Sequence, residues 1–386
     1  MFARAQSYKV CIVATMIQAF FIPTHFLLLH FLLLLVMKFL IQFSGVALGL
    51  YLGLYLAPNK PRPAWWRWIA ILSVSLTVLL GLAPRTAGNF SDAVLMRRAG
   101  MMPKVPVKVQ IQHETKTIDA ASKYATFQMT DFSEGAPVQA VVRCSEPLAN
   151  QLTGVERAIL LIERDSTAND GVFIAQECIA ANPLLTLPFI PQLQERARNL
   201  YFHVPMSWVG MLAYILAMFY GFRYLKTRAL HYDIYAAAAA GLGTLFTFLA
   251  TVTGAIWAKF DWGSFWNWDP RQTSIFILLL MYGAYFALRQ AIDNDERRAR
   301  LSAVYVIFAV IPAVFLIYIM PRILDGLHPG AGNDASAGPI LSTKKEELNV
   351  IKQVIFSLAF GSFTMIFFWM HSLQVRIQSL VRAKQE

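Results

Sequence analysis

The sequence predicts an α-helical multi-pass membrane protein with about eight spans, into which an extracytoplasmic all-β domain is inserted. Of its 386 residues, 56% are hydrophobic and only 15% are charged, whereas soluble domains carry about 25% charged residues. The apolar residues are gathered in charge-free runs, and charges return in one central segment. These observations exclude a disordered chain, a coiled coil and a small disulfide-stabilised scaffold.

Eight charge-free runs are long enough to cross a bilayer, which takes about 20 residues with a range of roughly 17–25. They are residues 10–37, 39–59, 68–84, 199–222, 234–258, 272–288, 301–321 and 353–375. Two of these runs are short, but the long side chains of the flanking Arg67 and Arg289 can reach the membrane interface. Met37 is an alternative start, so residues 1–36 are either part of the first span or an upstream extension.

The positive charges predict how these spans are oriented. The net charge is +11, and five clusters of Lys and Arg fall on one side of an eight-span arrangement with both termini inside. Cytoplasmic loops of membrane proteins are enriched in Lys and Arg, so we assign that side to the cytoplasm. No basic stripe with interleaved aromatic residues indicates a nucleic-acid surface, and we expect no nucleic-acid partner.

Composition divides the chain into four parts. They are two extra N-terminal spans (1–59), a first core span (60–84), the extracytoplasmic insert (85–198) and the remaining membrane core (199–386). Within the insert, alternating apolar residues predict five strands. These are 105–112, 124–130, 138–143, 155–163 and 172–179, with a short helix at 147–152. Five strands with a helix between the third and fourth follow the order of an OB-fold.

The insert also holds Cys144 and Cys178. Neither belongs to a CxxC motif or a metal-spaced cluster. In an oxidising compartment the pair is either a disulfide or two small buried apolar side chains.

The segment WGSFWNWDPRQT, residues 262–273, is the most unusual part of the sequence. It places Trp262, Trp266 and Trp268 beside Asp269 and Arg271, between the fifth and sixth spans. A belt of interfacial aromatic residues is the simpler interpretation. A dense Trp cluster that also holds charged residues is more typical of a surface for a flat aromatic ligand.

Two histidines lie on the same predicted side of the membrane as this loop. His203 opens the fourth span within Tyr-Phe-His-Val-Pro, and His328 follows the seventh span within Gly-Leu-His-Pro-Gly. A lone histidine near a helix end is more often structural, but neutral imidazoles are also good axial ligands for haem iron. Tryptophan faces can cover a porphyrin, and an arginine can pair with a propionate. Together these residues predict a haem site with His203 and His328 as the axial pair.

These motifs resemble a known family. Residues 262–273 resemble the tryptophan-rich "WWD" signature, and Phe202-His203-Val204-Pro205 and Leu327-His328 resemble the flanking histidine motifs of the cytochrome c maturation protein C family, also called haem exporter protein C. The resemblance runs from about residue 65 to the C-terminus, apart from the insert. It implies six spans in the inner (plasma) membrane, here the third to the eighth, with the WWD loop external.

The resemblance also implies a function. Haem b would be held transiently and non-covalently between the two external histidines and passed to a separate haem chaperone. The chain has no ATP-binding P-loop, so any energy input must come from a separate ATPase. The resemblance implies that ATP-binding-cassette transporter subunits are partners and that the chain is a binding and transfer protein rather than an enzyme.

The chain departs from the family in its two extra spans and in the insert. Residues 127–131 and 173–182 of the insert are similar to the haem chaperone of the same pathway, but Asn182 stands where that chaperone has its haem-carrying histidine. We therefore expect no covalent haem on this chain. The insert either covers the haem, docks the true chaperone, or is an accessory domain without haem contact.

Two other functions compete with haem delivery. A cytochrome c haem lyase or synthetase also carries a WWD loop, but it typically has a further pair of membrane histidines, and this chain has none at suitable positions. A transporter for another solute predicts charged or broken helices at mid-membrane, and the spans here are nearly free of charge.

Overall fold

The computed structural model describes residues 36–37, 39–98, 104–119, 124–132, 137–165, 171–188, 198–328, 330–333 and 350–384. The first predicted span lies almost entirely outside these residues, together with Cys11, His25 and His30. The described chain begins with α1 (Phe39–Leu54) and α2 (Ala64–Leu82). Helix α1 is apolar but shorter than a full span, whereas α2 is long enough to cross a membrane.

The insert that follows α2 contains a closed five-stranded barrel. The elements of the whole insert are β1 (Arg85–Ala87), α3 (Phe90–Arg98), β2 (Val105–Asp119), β3 (Tyr124–Asp131), β4 (Gln139–Ser145), α4 (Glu146–Gln151), β5 (Arg157–Arg164), β6 (Val172–Ala181) and β7 (Thr186–Pro188). The barrel order is β2-β3-β4-β6-β5. Strands β4 and β6 run parallel and the other neighbours antiparallel. The five predicted strands and the helix between the third and fourth are confirmed; the OB-fold assignment stays a prediction.

Alternating apolar residues build the barrel core, and α3 packs against it. Val107, Val109 and Met129 are fully buried, and Phe90 of α3 stacks on Phe173 with ring centroids 4.9 Å apart. Strand β2 is longer than predicted because its polar second half pairs with β3 across a register shift between residues 112 and 117. That half lacks the apolar alternation from which strands are predicted.

The two cysteines of the barrel are free thiols. Cys144 is buried and pairs in register with Ala175, whereas Cys178 is half-buried and pairs with Leu160. Burial raises the pKa of the Cys144 thiol to about 12 and also raises that of Cys178. Of the two alternatives left open by the sequence, a disulfide or two small packed side chains, the structure has the second.

A small parallel sheet of β1 and β7 joins the insert to the helices. Next to it, the Arg198 guanidinium donates to the carbonyl oxygens of Gly81 at 3.1 Å and Leu82 at 3.0 Å, and to that of Pro84. The last carbonyls of a helix have no partner within the helix, so Arg198 caps the end of α2. Both connections of the insert therefore lie at one end of the helical bundle, where α2 ends.

The remaining chain completes the bundle. Its elements are α5 (Leu200–Thr227), α6 (Leu230–Trp262), α7 (Pro270–Gln290), α8 (Asp295–Val314), a π-helical turn (Phe315–Ile319), α9 (Met320–Ile323) and α10 (Val350–Ala383). In the described chain, six helical segments are long and apolar enough to cross a membrane: α2, α5, α6, α7, the segment Asp295–Ile323 and α10. They correspond to the predicted six-span core; the number of eight stays a prediction.

Small residues let α5 and α6 approach closely. A Cβ at Gly243 would lie 2.7 Å from the Tyr214 ring, and one at Gly210 would lie 2.7 Å from the Thr247 hydroxyl. Without a hydrophobic driving force in lipid, such close backbone approach is a main source of helix association. The alanine run 236–240 of α6 is part of this packing, since Ala239 and Ala240 are fully buried.

Candidate functional site

A cleft with about 870 Å³ of empty space opens at the end of the bundle where α5 begins. This space includes the open mouth of the cleft. Six of the seven sequence-predicted site residues line it: His203, Trp262, Trp266, Asp269, Arg271 and His328. The remaining walls come from the last turns of α6, the first turns of α7 and the π-helical turn. No described residue of the insert lines it.

His203 lies in the first turn of α5 and is held by α6. Its Nδ1 is 2.9 Å from the Ala250 carbonyl oxygen and 3.2 Å from the Thr253 hydroxyl. Because a carbonyl oxygen can only accept, Nδ1 carries the proton and Nε2 keeps its lone pair. A backbone carbonyl on the second ring nitrogen is the usual support of a metal-binding histidine.

Gly254 makes room for this imidazole. A Cβ at that position would lie 2.9 Å from Cε1 of His203, closer than real Cβ atoms approach another heavy atom. Glycine is therefore the residue that lets α6 pack against the His203 ring.

His328 is bounded by two tryptophans. Its ring centroid is 5.7 Å from that of Trp257 and 6.3 Å from that of Trp262, both in edge geometry. The two indoles stack on each other at 6.4 Å with an interplanar angle of 28°. Trp257 also lines the cleft, and its buried indole N–H has no hydrogen-bond partner among the described residues.

Sequence reasoning missed Trp257. It falls inside the predicted fifth span, where an aromatic residue is unremarkable. Its spacing of five residues from Trp262 corresponds to about 140° on an ideal helix, so helical periodicity does not indicate the pair.

Asp269 connects the WWD loop to the segment that carries His328. Its Oδ1 accepts a hydrogen bond from the backbone N–H of Arg271 at 2.9 Å and so caps α7. Its Oδ2 accepts from the backbone N–H of Leu327 at 2.7 Å. Gly326 permits this contact, since a Cβ there would lie 2.7 Å from Oδ2. The carboxylate thus ties the start of α7 to the segment that carries His328.

The loop itself is fixed by its own side chains. Gln272 accepts from the backbone N–H of Asn267 at 2.8 Å and donates to the Phe265 carbonyl at 3.3 Å. Trp266 lines the cleft and meets the edge of Trp268 at 5.8 Å. Trp268 has a positive φ of 55° and is 69% exposed, and it is absent from the cleft lining.

Arg271 brings a cation into the cleft. Its Nε is buried and has no hydrogen-bond partner among the described residues. Buried polar groups in proteins nearly always have a partner, and guanidinium groups pair strongly with carboxylates. The site therefore fits a ligand with a flat apolar body, an anionic edge and a metal that accepts imidazole nitrogen.

The other described histidines have structural surroundings. Two of them lie at the opposite end of the bundle. His371 is fully buried, and its Nε2 lies 3.0 Å from the Tyr235 carbonyl oxygen. His231 is exposed. His113 of the barrel has its Nε2 2.8 Å from the Val155 carbonyl oxygen. In the part of the chain that the structure describes, no group of three or more His, Cys, Asp or Glu side chains is arranged to hold a metal ion.

Fold and site define a class: a multi-pass membrane protein with an aromatic cleft and two histidines at one end of the bundle. Comparison with known proteins specifies this class further. Residues 172–386, more than half of the chain, match the family described as Heme exporter protein C, and the chain belongs to that family.

Relatives of this chain carry the same description. Heme exporter protein C of Bradyrhizobium diazoefficiens is 32% identical over 183 residues, which are 47% of this chain and 66% of that protein. The Paracoccus denitrificans protein is 33% identical over 139 residues, 36% of this chain and 58% of that protein. The Rhodobacter capsulatus protein is 32% identical over 219 residues, which are 54% of this chain and 86% of that protein. The chain thus spans less than two thirds of the length of each of the first two relatives.

Proposed function

We propose that this protein binds haem in the cleft and delivers it to a haem chaperone during the biogenesis of c-type cytochromes. The observation that carries the proposal is His203, whose Nδ1 is held by α6 while Nε2 keeps its lone pair in the cleft that it shares with His328. The names of the relatives, heme exporter protein C, support haem as the cargo.

Each cleft residue has a role in this proposal. His203 and His328 take the two axial positions of the iron, because neutral imidazoles are good haem ligands. Trp262 and Trp266 contact the porphyrin, and Arg271 pairs with a propionate carboxylate. Trp268 faces outward, and its 69% exposure favours contact with the partner that receives the haem.

We place the cleft and the insert on the outer face of the inner membrane. The clusters of Lys and Arg support this orientation through the positive-inside rule. The insert starts at the end of α2 and returns at the start of α5, three residues before His203. Cleft and insert are therefore at the same end of the bundle, whichever way the bundle is oriented.

The barrel is proposed to bind no haem covalently. Asn182, at the position of the chaperone's histidine, lies in a turn with a φ of 45°. Its side-chain oxygen accepts from the Arg157 backbone N–H at 3.0 Å, and its own N–H donates to the Arg157 carbonyl at 2.7 Å. An amide held in this way is a poor ligand for iron, so a separate chaperone supplies the imidazole, and ATP-binding-cassette subunits supply energy.

A transfer assay tests the proposed function. The purified protein is loaded with haem and mixed with the purified haem-free chaperone, and the products are stained for haem on a denaturing gel. We expect stain at the mass of the chaperone and none at 43.4 kDa. Absence of stain at the mass of the chaperone would contradict delivery. A persistent band at 43.4 kDa would contradict the expectation of no covalent haem on this chain, and thioether formation on an added apocytochrome would instead indicate a lyase.

A further inference from the structure

A second, polar groove lies at the opposite end of the bundle from the aromatic cleft. Helix α5 runs from Leu200 to Thr227, so its last turn lies about 36 Å from His203 along the helix axis. Its last turn and the first turns of α8 form a groove with about 930 Å³ of empty space, including its open mouth. The lining residues are Tyr224, Arg228, Asn294, Glu296, Arg297 and Arg300.

The groove has an excess of positive charge. Three guanidinium groups line it together with the single carboxylate of Glu296. The neighbouring Arg298 and Arg382 differ in this respect, because they share the carboxylate of Asp295. Over the described ranges, Arg297 and Arg300 have no such ion pair.

An exposed apolar face of α8 continues from the groove. Arg297 and Arg300 are followed on the same helical face by Val304, Phe308 and Ile311, at spacings of three and four residues. These three apolar side chains are 39%, 65% and 69% exposed. If α8 crosses a bilayer, as its length and composition allow, this face would contact acyl chains and its basic end would face the lipid headgroups.

We infer that the groove binds the phosphate headgroup of an anionic phospholipid, whose acyl chains lie on the apolar face of α8. Arginine recognises phosphate oxygens through paired hydrogen bonds, and basic pockets between membrane helices are suited to anionic headgroups. Free inorganic phosphate has the same phosphate oxygens as the headgroup, but it has no acyl chains to contact Val304, Phe308 and Ile311. The continuity of basic and apolar surfaces therefore favours a lipid.

Binding of diphosphatidylglycerol to the purified full-length protein, in nanodiscs of neutral phosphatidylcholine, tests this inference. The test variant is Arg297→Gln/Arg300→Gln. The matched control is Arg67→Gln/Arg376→Gln, which removes the same charge from exposed positions at the same end of the bundle. We expect affinity to fall about tenfold or more in the test variant and to change less than about twofold in the control.

Three outcomes would overturn the inference. Equal losses in both double variants would indicate general electrostatic attraction. If millimolar inorganic phosphate displaces the lipid completely, the ligand of the groove is a soluble anion. If the protein binds diphosphatidylglycerol no better than phosphatidylcholine, the groove does not recognise anionic lipid, and an acidic protein segment becomes the alternative ligand. If the Gln variant does not fold, Arg297→Lys/Arg300→Lys is used. It keeps the charge but loses the paired hydrogen bonds, so we expect an intermediate affinity, and unchanged binding would contradict a guanidinium-specific site.

Discussion

The imidazole of His203 is oriented by α6, the helix packed against it. The Ala250 carbonyl fixes the proton on Nδ1, and Gly254 leaves space for Cε1. The sequence motif identifies His203 and His328 as candidate ligands, but neither contact has a local signal. Ala250 and Gly254 are about fifty residues away in the chain and look like ordinary span residues. Their role depends on the register of two helices, which sequence patterns do not specify.

Substitution of Gly254 tests this orientation. In Gly254→Ala, the new methyl group would displace the His203 ring, and we expect haem binding to weaken about tenfold, as for other supports of metal-binding histidines. Gly241→Ala is the matched control, because a Cβ at that position of the same helix meets nothing within 4 Å. Haem titration of both variants measures the effect; equal affinity of the two would show that the ring position is unimportant.

The thiols of the barrel provide a pH-dependent prediction. The reactive species is the thiolate, and burial raises the pKa of Cys144 from 9.0 to about 12. A higher pKa means less thiolate, so at pH 8 the thiolate fraction is lower by about a thousandfold. We expect alkylation of Cys144 to be far slower than that of the half-buried Cys178 and to accelerate up to about pH 12.

Mass spectrometry of the labelled peptides measures both rates in the same sample. Denaturation without reductant should then expose both thiols to full labelling. Rapid labelling of Cys144 in the folded protein would contradict its burial, and a pair that labels only after reduction would be a disulfide.

Among the structural elements, the WWD loop depends on contacts with a distant segment. The aromatic cluster and the start of α7 at Pro270 can be predicted from the sequence, because Asp-Pro is a typical helix start. The bond from Asp269 to Leu327 joins residues 58 positions apart and has no local signature. The outward direction of Trp268 is equally unpredictable, because it follows from a positive φ that tryptophan rarely adopts.

Asp269 is expected to couple loop stability to haem binding. Asp269→Ala removes both the helix cap and the Leu327 bond and should destabilise the protein by about 1–2 kcal/mol while strongly reducing haem affinity. Asp269→Asn retains one acceptor oxygen and should have a smaller effect on both. Asp293→Ala, at an exposed position at the opposite end of α7, is the control. Thermal unfolding measures the stability of each variant, and haem titration measures its affinity. Wild-type haem affinity in Asp269→Ala would show that the contacts of Asp269 are not needed for haem binding.

On the scale of the whole molecule, the described chain is a helical bundle that carries a barrel on a two-stranded bridge. Hydropathy predicts this division, because membrane spans and a barrel with alternating apolar residues differ strongly in pattern. The bridge of β1 and β7 is not predicted, since its strands have three residues each and pair across about one hundred positions. Only the three-dimensional structure therefore shows how the barrel is attached to the helices.

Removal of the barrel tests whether it belongs to the site. Residues 90–183 are replaced by a short Gly-Ser linker, which preserves β1, β7 and Arg198. Because no described residue of the insert lines the cleft, we expect haem occupancy to be retained. Haem content and the transfer assay are both measured on the purified variant. Loss of haem with normal helical content would make the barrel part of the site, and loss of transfer alone would assign chaperone docking to it.

The most direct test of haem binding is the absorption spectrum of the purified protein and of its His203→Ala and His328→Ala variants. His231→Ala, whose exposed imidazole lies at the opposite end of the bundle, serves as the control. We expect a six-coordinate bis-imidazole spectrum for the wild type and for the control, and its loss in both cleft variants. Retention of the wild-type spectrum in both cleft variants would contradict axial ligation by His203 and His328.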